Sequence, residues 1–149
     1  LPLDGYIDDL GRTLGEELLE PTRIYAKDCL ALVSECDVAT FCHVTGGGLA
    51  GNLERVLPEG LVAEVNRASW TPAEIFRTIA SFGKVSLEEM EKTFNMGVGM
   101  IAIVSPEDRD RALAMLTARH VDAWELGSIR TKKEDDTAGV VMQGEHSNC

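Results

Sequence analysis

The chain has 149 residues, of which 44% are hydrophobic and 26% charged, and its formal net charge is −11. That length suits one domain with a single core, and its ordinary globular usage excludes collagen-like, disordered and coiled-coil architectures. The longest apolar stretches fall short of the ~18 residues of a membrane span, and so acidic a surface lacks the positive footprint of a nucleic-acid or anionic-membrane binder.

Taken in chain order, the first segment is the most acidic: residues 1–37 carry nine carboxylates against three cations. The chain begins Leu1-Pro2-Leu3-Asp4 without Met or a basic n-region, so it reads as entering a longer protein midway. Thr13–Leu19 reads as a short helix, with Thr13 and Glu16 in capping-box spacing. Ile24–Ser34 suits a buried amphipathic helix through Leu30, Leu32 and Val33. Val38–Val44 is β-branched and aromatic and predicts a strand. After Gly46-Gly47-Gly48, a helix is expected over Leu49–Leu57 and a strand over Leu61–Val65. Thr71-Pro72-Ala73-Glu74 reads as a Thr-capped helix start running to Phe82. Ser86 with Glu89 marks a second capping box, for a helix to about Phe94. Val98–Val104 predicts an apolar strand, Ser105–Arg119 a helix, Ala123–Ile129 a strand and Val140–Gln143 a short last strand. The final two strands, joined by the polar turn Thr131–Asp136, are expected to pair antiparallel, and Glu145–Cys149 to fray. The alternation predicts an α/β (α+β) fold, a mixed β-sheet with helices on both faces.

Cys29, Cys36, Cys42 and Cys149 match no CxxC spacing, and no DxDxDG loop is present, so the sequence offers no metal motif. Reduced thiols in a cytoplasmic protein account for the cysteines.

The segment His43-Val44-Thr45-Gly46-Gly47-Gly48 runs from a strand through three glycines into a helix. Such a loop lets an anion approach backbone amides at a helix N-terminus; equally, it can be a turn that only packs helix on strand. No Lys-Ser/Thr follows, so it is not a Walker loop. His43 reads either as a hydrogen-bonded core or rim residue or as a donor to a ligand oxygen. Asn95, in Thr93–Met100, reads as a turn residue or an amide contact. Met96, Met100, Trp70 and Trp124 read as packing residues. Arg23 reads as a surface ion pair or an anion clamp.

Three runs, LLEPTRIY (Leu18–Tyr25), HVTGGGLAGNLERVLPEG (His43–Gly60) and TFNMGVGM (Thr93–Met100), resemble the carboxy-terminal half of the phosphoribosylformylglycinamidine cyclo-ligase (aminoimidazole ribonucleotide synthetase) family. The resemblance spans roughly residues 11–143. It implies a domain over 1–143, a tail over 144–149 and an amino-terminal ATP-binding domain absent from this chain. It further implies ATP-dependent ring closure of formylglycinamidine ribonucleotide to aminoimidazole ribonucleotide in purine biosynthesis. ATP and Mg2+ would be held mostly by the amino-terminal half, in a cytoplasmic homodimer, and this half alone would be inactive. By motif position, His43, Thr45, Gly46, Gly47, Gly48, Asn52, Asn95, Thr22 and Arg23 would contact substrate or a phosphate group; no general base is assigned. Formylglycinamidine synthetase, selenophosphate synthetase and thiamine monophosphate kinase share the implied fold and ATP use. They are alternatives, as is a non-catalytic phosphometabolite-binding module.

Overall fold

The computed structural model describes residues 2–147; Cys149 lies outside them. A small antiparallel hairpin, β1 (Tyr6–Ile7) and β2 (Arg12–Thr13), opens the chain around the left-handed Gly11. It leads into α1 (Leu14–Leu18), where the expected capping box forms: the Glu16 N–H donates to Thr13 Oγ1, and the Thr13 N–H donates to the Glu16 carboxylate. Next come α2 (Ala26–Glu35), β3 (Val38–His43), α3 (Gly48–Glu54), β4 (Leu61–Asn66), α4 (Glu74–Gly83) and α5 (Leu87–Thr93). The chain closes with β5 (Met100–Val104), α6 (Arg109–Ala118), β6 (Gly127–Thr131) and β7 (Val140–Gln143).

The mixed α/β class is as expected. Its strands fall into three ladders: β1–β2, β3–β5 and β6–β4–β7. The β3–β5 ladder is antiparallel and sorts its side chains by the two-residue strand period. Cys42, Ile101 and Ile103 face a core built with Leu49 and Leu53 of α3. Phe41, Ala102 and Val104 face Leu32 of α2, Cys36 just after that helix, and Ala112 of α6. Helices thus cover both faces of this ladder.

The last two strands correct the expected pairing. β6 and β7 do not pair with each other; β4 lies between them, antiparallel to β6 and parallel to β7. The cause is the apolar run of β4, whose Val62, Ala63 and Val65 are buried, so that it takes the centre of the ladder. Residues 132–139 are long enough to cross it. β6 also starts later than expected, at Gly127, where a Cβ would collide with the Glu64 carbonyl of the neighbouring strand.

Other boundaries shift for local reasons. α4 is capped by Ala73, without a side-chain bond, because Thr71 precedes a proline and is biased towards extended backbone. Ser86 accepts the Glu89 N–H, but the Glu89 carboxylate turns to Lys92, so only half of the second capping box forms. In α2 only Leu32 is buried; Leu30 and Val33, expected inside, are exposed, as is Ile24 before the helix. Trp70 packs as expected, whereas Trp124 is exposed.

The carboxy-terminal segment does not fray at His146. That side chain is buried, its ring edge-on to Trp70 at 4.6 Å. Its Nδ1 lies 3.0 Å from the Arg67 carbonyl and its Nε2 3.3 Å from a Glu91 carboxylate oxygen. Arg67 grips Glu91 with a two-pronged pair of 2.7 and 2.8 Å, and donates to the Met142 carbonyl at 2.9 Å. Hydrogen bonding from Arg67 holds the Glu91 carboxyl below the usual carboxylate range, against its partial burial. A carboxylate depressed in the folded state stabilises the fold above its unfolded-state pKa and loses that contribution as pH falls through its folded one. The urea midpoint is therefore expected to drop below about pH 4, and the drop to be shallower in Glu91→Gln. Equal slopes in both proteins would count against the pair.

Candidate functional site

The glycine loop sits where β3 ends. His43 pairs with Met100 in the ladder, and the Val44 N–H donates to the Gly99 carbonyl at 2.9 Å. This register brings the His43–Gly48 and Asn95–Met100 segments, far apart in sequence, to one end of the sheet. Gly47 and Gly48 both adopt positive φ, 100° and 71°, a backbone that side chains rarely take. The loop folds on itself through the Gly48 N–H to the Thr45 carbonyl at 3.3 Å.

Asn52, on α3, is the clamp inside this loop. Its buried amide donates to the carbonyls of Gly48 at 2.7 Å, Thr45 at 3.2 Å and Gly46 at 3.3 Å. Thr45 returns a hydroxyl bond to Asn52 Oδ1 at 3.3 Å. With its amide engaged this way, Asn52 shapes the loop from beneath. Gly46 and Gly47 remain exposed, and their N–H groups have no partner among the described residues.

The second segment is built as a turn. Asn95 Oδ1 accepts the Gly97 N–H at 3.0 Å, and the Asn95 carbonyl accepts the Val98 N–H at 2.9 Å. Between them Met96 is buried with φ 50°, its carbonyl bonded by the Trp70 indole N–H at 2.9 Å. Tyr25, from the PTRIY run, stands edge-on to His43 with ring centroids 6.0 Å apart. Its hydroxyl lies over Gly99, where a Cβ would collide with it. So Tyr25, His43 and Gly99 join the same sheet end. Arg23 turns instead to the His120 carbonyl past α6, at 3.1 Å, and Thr22 is exposed. A cleft of about 680 Å³ runs along β5, with Arg23, Tyr25, Gly97 and Gly99 among its walls.

Arg55, which the sequence reading passed over, supplies the charge. A methyl group on Gly47 would lie 3.7 Å from an Arg55 guanidinium nitrogen and 3.8 Å from the Asn52 amide nitrogen. Arg55 is exposed and has no carboxylate partner among the described residues. Apart from Arg23, every other arginine is paired with one: Arg12, Arg67, Arg77, Arg109, Arg111, Arg119 and Arg130. In a chain this acidic, an unpaired guanidinium beside exposed amides is a signal. The run NLERVLP held it, but a helix-end arginine gives no sign by sequence alone of which way it reaches. Two free N–H groups, a guanidinium fork and a nearby imidazole are the donors that phosphate oxygens take. α3 has only seven residues, so Arg55, not the helix dipole, is the main positive source.

The sequence model for "AIR synthase related protein, C-terminal domain" matches residues 3–139. The chain belongs to that family. A putative phosphoribosylformylglycinamidine cyclo-ligase of Streptomyces fradiae is 55% identical over 97% of this chain and 81% of the relative. The phosphoribosylformylglycinamidine cyclo-ligase of Anaeromyxobacter sp. (strain Fw109-5) is 50% identical over 94% of this chain but only 41% of its own length. That of Myxococcus xanthus is 44% identical, again over 94% of this chain and 41% of the relative. The chain thus spans about two fifths of the length of the latter two relatives. The matched family span stops before β7 and the segment that carries His146.

Proposed function

We propose that this domain is the substrate-phosphate-holding part of an ATP-dependent cyclo-ligase that forms a C–N bond. The whole enzyme would close the imidazole ring of formylglycinamidine ribonucleotide to give aminoimidazole ribonucleotide in purine biosynthesis. The observation that supports it most is the unpaired Arg55 beside the Gly46–Gly47 amides, at the sheet end where all three family motifs reach.

In this reading the exposed loop amides and Arg55 grip the phosphate of the ribonucleotide. Thr45 and Asn52 hold the loop in shape, and the Asn95 turn forms the adjoining rim. His43, steadied by Tyr25, presents its imidazole on the exposed side of the strand end. Arg23 borders the cleft beyond, with the exposed Thr22 just before it in the chain. Ring closure joins two groups of one molecule, so fixing the phosphate limits the substrate's conformations and raises the encounter frequency of nucleophile and carbon. ATP supplies the phosphoryl group that turns the formyl oxygen into a leaving group. Among the described residues no three His, Cys, Asp or Glu side chains gather to hold a metal ion. In this reading, as in the family resemblance, magnesium and most ATP contacts belong to the amino-terminal half of a cytoplasmic homodimer. Among the described residues no helix is long and apolar enough to cross a membrane.

The test is reconstitution. Joined to the amino-terminal half of a full-length cyclo-ligase, the domain is expected to restore ATP-dependent ring closure. Arg55→Ala should raise KM for the ribonucleotide by about tenfold or more, the loss of one charge-assisted contact, with a smaller change in kcat. An unchanged KM would overturn the phosphate assignment. Tight ribonucleotide binding by this chain alone, without turnover on reconstitution, would favour a non-catalytic binding module.

A further inference from the structure

Both loops of the phosphate site rest on one buried cluster that the site itself does not include. α5 meets the glycine loop backbone to backbone: a Cβ on Gly48 would run into the Glu91 carbonyl oxygen. The Glu91 side chain is fixed from two sides, by the Arg67 fork and by His146. The Met96 turn hangs from the Trp70 indole, and Trp70 packs against the His146 ring. His146 therefore touches the supports of both loops. Its segment is stitched on further by Arg67 to the Met142 carbonyl and by a 2.9 Å bond between Thr71 and Ser147.

We propose that His146 is a positioning residue for the phosphate site: the carboxy-terminal segment is a latch that sets the relative placement of the glycine loop and the Met96 turn. The contact between Gly48 and Glu91 has no slack, so a shift of α5 is passed directly to the loop amides. The bond from Trp70 to Met96 passes the same shift to the second loop. A latch of this kind differs from core packing in its reach. Core loss loosens the whole fold, whereas latch loss displaces two distant loops and leaves β6, on the far edge of its ladder, in place. The affinity part of this inference rests on the phosphate reading of the glycine loop; the positional part does not.

The experiment uses this chain with 15N labelling and ribose 5-phosphate as the probe. His146→Ala is expected to move the amide resonances of Gly46–Gly48 and Met96–Gly99 while those of Ser128–Arg130 stay put. It should weaken ribose 5-phosphate binding about fivefold. His146→Asn keeps a donor for the Arg67 carbonyl and should recover most of both effects. Should His146→Ala unfold, Thr71→Val, which removes only the hydroxyl bond to Ser147, is expected to move the same two loops by less. Changes confined to residues 67–71, 91 and 142–147 would overturn the latch. A wild-type chain that shows no shift with ribose 5-phosphate would instead count against the phosphate reading, and the ligand-free shifts would still decide the latch.

Discussion

Replacing Gly48 by alanine is expected to destabilise the domain by about 3 kcal/mol or more, one part from overpacking and one from the left-handed backbone. The added methyl would run into the Glu91 carbonyl oxygen and lie 2.9 Å from its carbon. Both are backbone atoms of a helix, so no side chain can swing aside. The φ of 71° adds its own strain for any residue with a Cβ. The check is a urea unfolding curve, in which the midpoint falls and the slope is unchanged. Gly46→Ala provides the contrast, since nothing lies within 4 Å of a methyl there. It should cost well under 1 kcal/mol. Equal losses at the two positions would show that the close approach of α5 to the loop is not what requires glycine at 48.

Asn52→Asp is expected to do comparable damage, about 2–4 kcal/mol, although it changes no more than one atom's chemistry. The amide now donates to three carbonyl oxygens within 3.3 Å. An ionised carboxylate there would turn donation into repulsion, in a buried place where a charge lacks a partner. The expected result is a fold whose stability recovers as pH falls and the new carboxyl protonates, opposite in sign to the effect of Glu91. Equilibrium unfolding at pH 7 and pH 5 measures it. A variant as stable as the parent at pH 7 would mean that the loop's shape does not depend on this amide.

Much of the fold was legible because its signals are local. The Thr13–Glu16 box, the β-branched run of Val38–Val44 and the apolar run of Val98–Val104 are short-range preferences that the tertiary structure left in force. What was missed depends on partners far away in sequence. The central place of β4 needs β6 and β7 to arrive on opposite edges. The exposure of Leu30 and Val33 depends on where α6 packs. His146 looked like part of a polar tail because nothing in GEHSN announces the Trp70 and Glu91 pocket that receives it.

The candidate site divided the same way. The glycines announced themselves, as residues that only a special backbone requires. His43, Thr45 and Asn52 came with them by proximity in sequence. Which of these face a ligand and which hold the loop did not follow from spacing. Asn52 is held in the interior, and Arg55, three residues on, reaches to the surface side of the loop. Arg23 is turned towards His120 by a contact almost a hundred residues away in the chain.

The order of strands in the last ladder has a consequence for biosynthesis. β4 is complete when residue 66 leaves the ribosome, but its two neighbours are residues 127–131 and 140–143. At ~5–20 residues per second, one edge of this apolar strand waits about 3–13 seconds for β6 and the other about 4–15 seconds for β7. During that interval the nascent domain holds an open strand, and only the arrival of β7 closes its second edge. A chain that stops before residue 140 would therefore be released with an apolar strand edge uncovered and primed to aggregate, so the four residues of β7 matter to this domain's yield far more than their number suggests.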